Sequence, residues 1–181
     1  MSILSKFKSW LCDSSNDTEI LWDNDDFKDF AKGVNAGVAR AGCPLSVWKA
    51  VEHGIMKCYI PTDSVVVTST GNNKVRTNKL FVDKIYFGTS SHHNDYDYEA
   101  DTAESIHYSS YRYKKHEMHT PDKGLDKSTD VACAAGLHVF PKKPDAINYH
   151  AIRGSSYTER PVDIRHVGHP PRARARNQHR R

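Results

Sequence analysis

Imidazole is the side chain whose ordinary pKa lies closest to neutral pH, so two histidines, one neutral and one protonated, can act as base and acid in metal-independent RNA cleavage. The chain offers His107, His119 and His138 for such a pair, with Tyr111 and Tyr149 to line the same cleft. The catalytic candidates are therefore His138, His107, His119 and Tyr149. The same imidazoles, with His92, His93, His116 and Cys133, also hold the atoms of a metal site. His116-Glu117-Met118-His119 would set two ring nitrogens one turn apart on a helix. That segment reads as strand and loop, where residues three apart face opposite ways, so no metal is expected. Asp95, Asp97 and Glu99 carry oxygens for a hard cation but without regular ligand spacing. No cofactor is expected.

A second chemistry lies at the C-terminus. After Pro170 and Pro171 come Arg172, Arg174, Arg176, Arg180 and Arg181 with no acid among them. Without those five, the 26 Lys and Arg fall to 21 against 22 Asp and Glu, so the charge of +4 belongs to the tail. Arginines spaced by small or polar residues cannot form a core; they stay hydrated and contact phosphates through bidentate hydrogen bonds and counterion release. Nucleic acid is the expected partner. No aromatic residue is interleaved to stack on bases, so contact would be independent of sequence.

These groups need a scaffold. A chain of 181 residues fits one domain. Its apolar runs are too short to cross a bilayer as a helix, so no transmembrane segment is expected. Four scattered cysteines, Cys12, Cys43, Cys58 and Cys133, suit a reducing compartment, and the expected location is intracellular (host cytoplasm) or virion-associated. Ile3, Leu4, Phe7, Trp10 and Leu11 recur at helical spacing and predict an amphipathic helix suited to a protein partner, self-association or a membrane interface. Asp25 or Asp26 caps a predicted helix carrying Phe27, Phe30, Ala31, Val34, Val38 and Ala41. Pro44 and Gly54 bracket a second, LSVWKAVEH. From residue 55 the period becomes two: Met56, Cys58 and Ile60 alternate, Val65 to Thr68 and Leu80 to Phe87 read as apolar strands, and Lys74 to Lys79 as a polar one. Residues 89 to 105 read as a long surface loop. Leu137 to Phe140 predicts a strand, and Pro144-Asp145 opens a short helix reaching Tyr149.

From Val47 to Tyr149, through VWKAVEHGIMKCYIP, KVRTNKLFVDKIY and YRYKKHEMHTPDKGLDKSTDVACAAGLHVF, the chain resembles a domain of unknown function found in phages and large DNA viruses, often attached to pentapeptide repeats. A similar Cys-x-x-Gly-Leu-His signature occurs in rIIB-like phage proteins. Here the signature residues are Cys133, Gly136, Leu137 and Phe140, with His138 and Tyr149. The chain departs from that pattern at Val75-Arg76, where a Cys-Arg pair is expected, and it lacks the repeats. The resemblance implies a phage or viral origin and an α+β fold. The strand and helix from Gly136 to Tyr149 also look like the Gly-Ile-Tyr-Phe segment of ADP-ribosyltransferases, which helps bind the nicotinamide of NAD. His138 stands in the tyrosine place, and Glu159 is the one downstream glutamate.

The expected architecture is α+β: N-terminal helices packed on a mostly antiparallel sheet, with a disordered basic C-terminal tail. Residues 1–20 form the amphipathic helix and linker, 21–160 a single domain and 161–181 the tail. The expected function is that of a phage or viral accessory protein acting as a binding module, its tail on nucleic acid, with catalysis secondary. The alternative is a nucleotide- or RNA-directed enzyme, ADP-ribosyltransferase-like or a His-based nuclease, with a cleft around His138.

Overall fold

The computed structural model of the chain describes residues 18–32, 36–71, 73–88, 96, 98–107 and 110–154. The predicted N-terminal helix and the arginine tail lie outside them, as does Glu159. The chain runs β1 (Glu19–Leu21), α1 (Asn24–Phe30), β2 (Gly37–Ala41), β3 (Leu45–Val51), β4 (Gly54–Ile60), β5 (Val65–Thr68), β6 (Val75–Thr77), β7 (Leu80–Phe87), β8 (Tyr98–Ala100), β9 (Thr102–Glu104), β10 (Arg112–Lys114), β11 (Met118–His119), β12 (Leu137–Val139) and α2 (Lys143–Gly154).

This is a mostly β protein, and the expected helices packed on a sheet are not its architecture. The described residues hold two short helices, one towards each end. LSVWKAV is β3 rather than a helix, because Leu45, Val47 and Val51 also satisfy a period of two and β4 pairs along its full length, from Leu45 with Ile60 to Val51 with Gly54. Gly54 is therefore the start of a hairpin strand and not a helix cap. Its backbone is pressed against β7 so closely that a Cβ would lie 2.0 Å from the Tyr86 carbonyl oxygen. The other predicted helix shrinks to α1, capped by Asp23, whose carboxylate accepts from the Asp25 and Asp26 amides at 2.9 and 2.8 Å. Val38 and Ala41 belong to β2 instead. The expected loop of 89–105 contains β8 and β9.

One sheet has the order β1-β2-β5-β6-β12, parallel at β1–β2 and antiparallel elsewhere. The second runs β11-β7-β4-β3 with β8 on β7, and β9 pairs with β10. They meet where Trp48 and Phe140 exchange both backbone hydrogen bonds, at 2.8 and 2.7 Å, so the end of β12 is tied to β3. A shared core lies between them, with Val47, Val51, Met56, Cys58, Val82 and Ile85 of one sheet packed with Val66, Val75, Leu137 and Val139 of the other. The expected polar strand at 74–79 is β6, all of it buried, Arg76 included.

Candidate functional site

Helix α2 sets the first wall. Ala146 and Ile147 pack on Ile55, Trp48, Tyr86 and Phe140, the outer face of β3 and β4, and the Lys143 ammonium lies 5.3 Å from the Trp48 ring centre. That docking holds Tyr149 against Phe140, ring centres 5.3 Å apart, and brings its hydroxyl 2.7 Å from His107 Nε2. The helix thus brings together two residues 42 apart in sequence.

The second wall is the loop entering β12. His138 stands opposite Arg76 in the β12–β6 ladder. The Arg76 guanidinium, 1% exposed, donates to the Asp126 carbonyl at 2.9 Å and to that of Ser128. The Asp126 amide closes the loop on the Ala135 carbonyl at 3.0 Å. Hydrogen bonds from the Ser128 hydroxyl and amide hold the Asp126 carboxyl below its usual range. Gly136 then turns into the strand with φ +144°, where a Cβ would lie 2.8 Å from Leu125 and 3.2 Å from Arg76. Cys133 is exposed and accepts from the Lys74 ammonium at 3.4 Å.

Between these walls lies a cleft of about 810 Å³. His138, His107, Tyr111 and Tyr149 all line it, together with Cys133, Gly136, Leu137 and Phe140. His119 is not among the lining residues. Its ring packs on Tyr111 and Tyr113, and its Nε2 accepts from the Lys114 amide at 3.2 Å, a structural role. Tyr111 is anchored by its hydroxyl, which donates to the Thr120 carbonyl at 2.8 Å.

The residues missed from sequence are the cations: Lys49, Lys74, Lys123 and Arg153 line the cleft, against Asp122 as the one acid among the described lining residues. Lys49 is 9% exposed. It sits on the core-facing side of β3, where the period of two places it with Leu45, Val47 and Val51, and reading that segment as a helix hides the signal. Its Nζ donates to the His138 carbonyl at 2.8 Å and lies 5.3 Å from the Tyr113 ring centre. Burial, with Lys74 nearby, brings its pKa down to about 8. Lys74 also faces a ring, 5.4 Å from the centre of Tyr149.

His138 Nε2 is buried with no hydrogen-bond partner among the described residues, rather than bonded to backbone or carboxylate as a turn-fixing histidine would be. Burial first, then Lys49, Lys74 and Arg76, push its pKa down to about 3. Burial and the same two lysines also lower that of His107. Both shifts favour the neutral imidazole over the protonated one. Among the described residues no group of three or more His, Cys, Asp or Glu side chains comes together to hold a metal ion. Nor is any described helix long and apolar enough to cross a membrane.

No curated protein and no solved structure matches the chain. One family model does match, over residues 31–146, a span that includes every strand from β2 to β12, Lys49, Arg76, His107 and His138. The chain accordingly belongs to a family of unknown function, DUF5758.

Proposed function

We propose that this protein binds nucleic acid or nucleotides, with the cleft as its point of contact and the arginine tail adding phosphate contacts that do not depend on sequence. The observation that carries the reading is the concentration of Lys49, Lys74, Lys123 and Arg153 around one cleft, although the chain outside its tail holds 21 basic residues to 22 acids. Cations on a concave, partly apolar wall attract phosphate, and the rings of Tyr111 and Tyr149 offer faces to a base. Binding is favoured over hydrolysis by a histidine pair, since burial and then the cations that would hold phosphate disfavour the protonated forms of His107 and His138. The setting that fits is a phage or viral accessory protein, intracellular or virion-associated, on the strength of the Cys133 to Tyr149 signature.

The test is fluorescence anisotropy with a labelled single-stranded oligoribonucleotide across a salt series, beside calorimetry with ADP. Reversing charge in the cleft, with Lys74→Glu and Lys123→Glu, should abolish ADP binding and weaken the RNA complex. Deleting residues 170–181 should leave ADP binding intact and make the salt dependence shallower, by about one unit of slope for each phosphate that the tail no longer neutralises. Full RNA affinity after both changes would overturn the proposal.

A further inference from the structure

We propose that Lys49 is a nucleophilic amine that forms a reversible imine with a small aldehyde or ketone carrying a carboxylate or phosphate. The placement carries the argument. A lysine on the core-facing side of a strand normally reaches water or an acid, since burying an unpaired charge is costly. Lys49 has little exposure and no acid: it is 9% exposed, reaches solvent only through the cleft it lines, and its contacts among the described residues are the His138 carbonyl and the Tyr113 ring. No carboxylate is paired with it among those residues. The titratable and charged groups around it are Cys58 on β4, Tyr113 on β10, His138 on β12, and Lys74 and His107 in the flanking loops. Only Cys58 favours its charged form, and burial raises the Cys58 thiol so that it stays neutral.

An amine that donates one hydrogen to a carbonyl keeps its lone pair for a second partner. In the reaction that pair attacks the carbonyl carbon and gives a carbinolamine. The nitrogen gives up its two hydrogens, the carbonyl oxygen leaves as water, and a C=N bond remains. No oxidant or reductant is consumed. Lys74, Lys123 and Arg153 supply the complement for the anionic group, which sets the ligand class. The apolar side of the cleft, from Ala134, Leu137 and Phe140, limits the water available to reverse the step. This assignment uses the same cleft as the proposed function but does not depend on a nucleotide filling it.

The experiment treats the full chain with glyoxylate and cyanoborohydride, which reduces the imine to a stable carboxymethyl-lysine, and maps the adducts by mass spectrometry at several pH values. At pH 7.5 Lys49 should be labelled roughly tenfold or more faster than the exposed Lys79, Lys127 and Lys142, because it lines the cleft beside the cations that collect the glyoxylate carboxylate and burial favours its free-amine form. Lys49→Arg, with its fold checked by circular dichroism, should lose the fast phase. Labelling of Lys49 no faster than the exposed lysines, or a fast phase that survives Lys49→Arg, would overturn the proposal. Calorimetry with ADP on unlabelled protein reads the nucleotide proposal separately. Selective labelling without ADP binding upholds this inference alone, and ADP binding with unselective labelling upholds only the other.

Discussion

The His138 carbonyl accepts from Lys49 while the His138 imidazole, in the same residue, buries a nitrogen that has no partner among the described residues. Burial disfavours charge at both side chains, and Lys49 raises the cost of charging His138. A site tuned for stability alone would carry apolar residues here, so their presence points to a function. The consequence for pH follows from the direction of the shift. His138 binds its proton at about 3 in the folded state against 6.5 in the unfolded one, so the unfolded state takes up the proton first as pH falls. The stability from His138 is complete above 6.5 and is lost progressively from there down towards 3. His107 acts in the same direction. We expect the thermal midpoint to drop between about pH 7 and about pH 5, and His138→Gln to flatten that dependence. Scanning calorimetry of both proteins across that range is the check, and equal slopes would contradict the account.

Strands and helices differ in how plainly their residues announce them. Met56, Cys58 and Ile60 alternate with Lys57 and Tyr59, and β4 is buried in that rhythm. Val65 to Thr68, Leu80 to Phe87 and Leu137 to Val139 are equally plain, because apolar β-branched runs between turns have few other uses. LSVWKAV is ambiguous, since Leu45, Trp48 and Val51 satisfy a helical period while Leu45, Val47 and Val51 satisfy an extended one. Pairing with β4 decides it. Gly136 is legible as a close approach, and the structure shows what it approaches. Gly136→Ala should cost about 1–3 kcal/mol, from a left-handed backbone and contact with Arg76. Gly124→Ala, at φ +72° with nothing near its Cβ, should cost less. Urea denaturation of the two variants compares a crowded positive-φ site with an open one, and equal losses would mean that the Leu125 and Arg76 contacts add nothing.

At the scale of the molecule, the two sheets share one core and one backbone seam, Trp48 to Phe140. The cleft opens beside that seam, with Lys49 from β3 and His138 from β12 as its floor. Integrity of the site therefore requires both sheets at once. Unfolding should be one cooperative transition, with tryptophan fluorescence and far-ultraviolet circular dichroism changing at the same denaturant concentration. Separate midpoints for the two signals would show that the sheets are independent units.

The amino-acid sequence by itself determined the local features: the alternating strands, the glycine ahead of β12, the helix that delivers Tyr149, and the confinement of excess positive charge to the tail. Each depends on neighbours a few residues away, where periodicity, turn chemistry and charge are directly visible. The tertiary structure alone decided that Lys49 reaches the carbonyl of a residue 89 positions later, that His107 meets Tyr149, and that Arg76 holds the loop at Asp126. Those pairings follow from strand order and register, which depend on how two sheets close over a common core. No short-range pattern encodes that closure, and the cations that give the cleft its character were brought together by it.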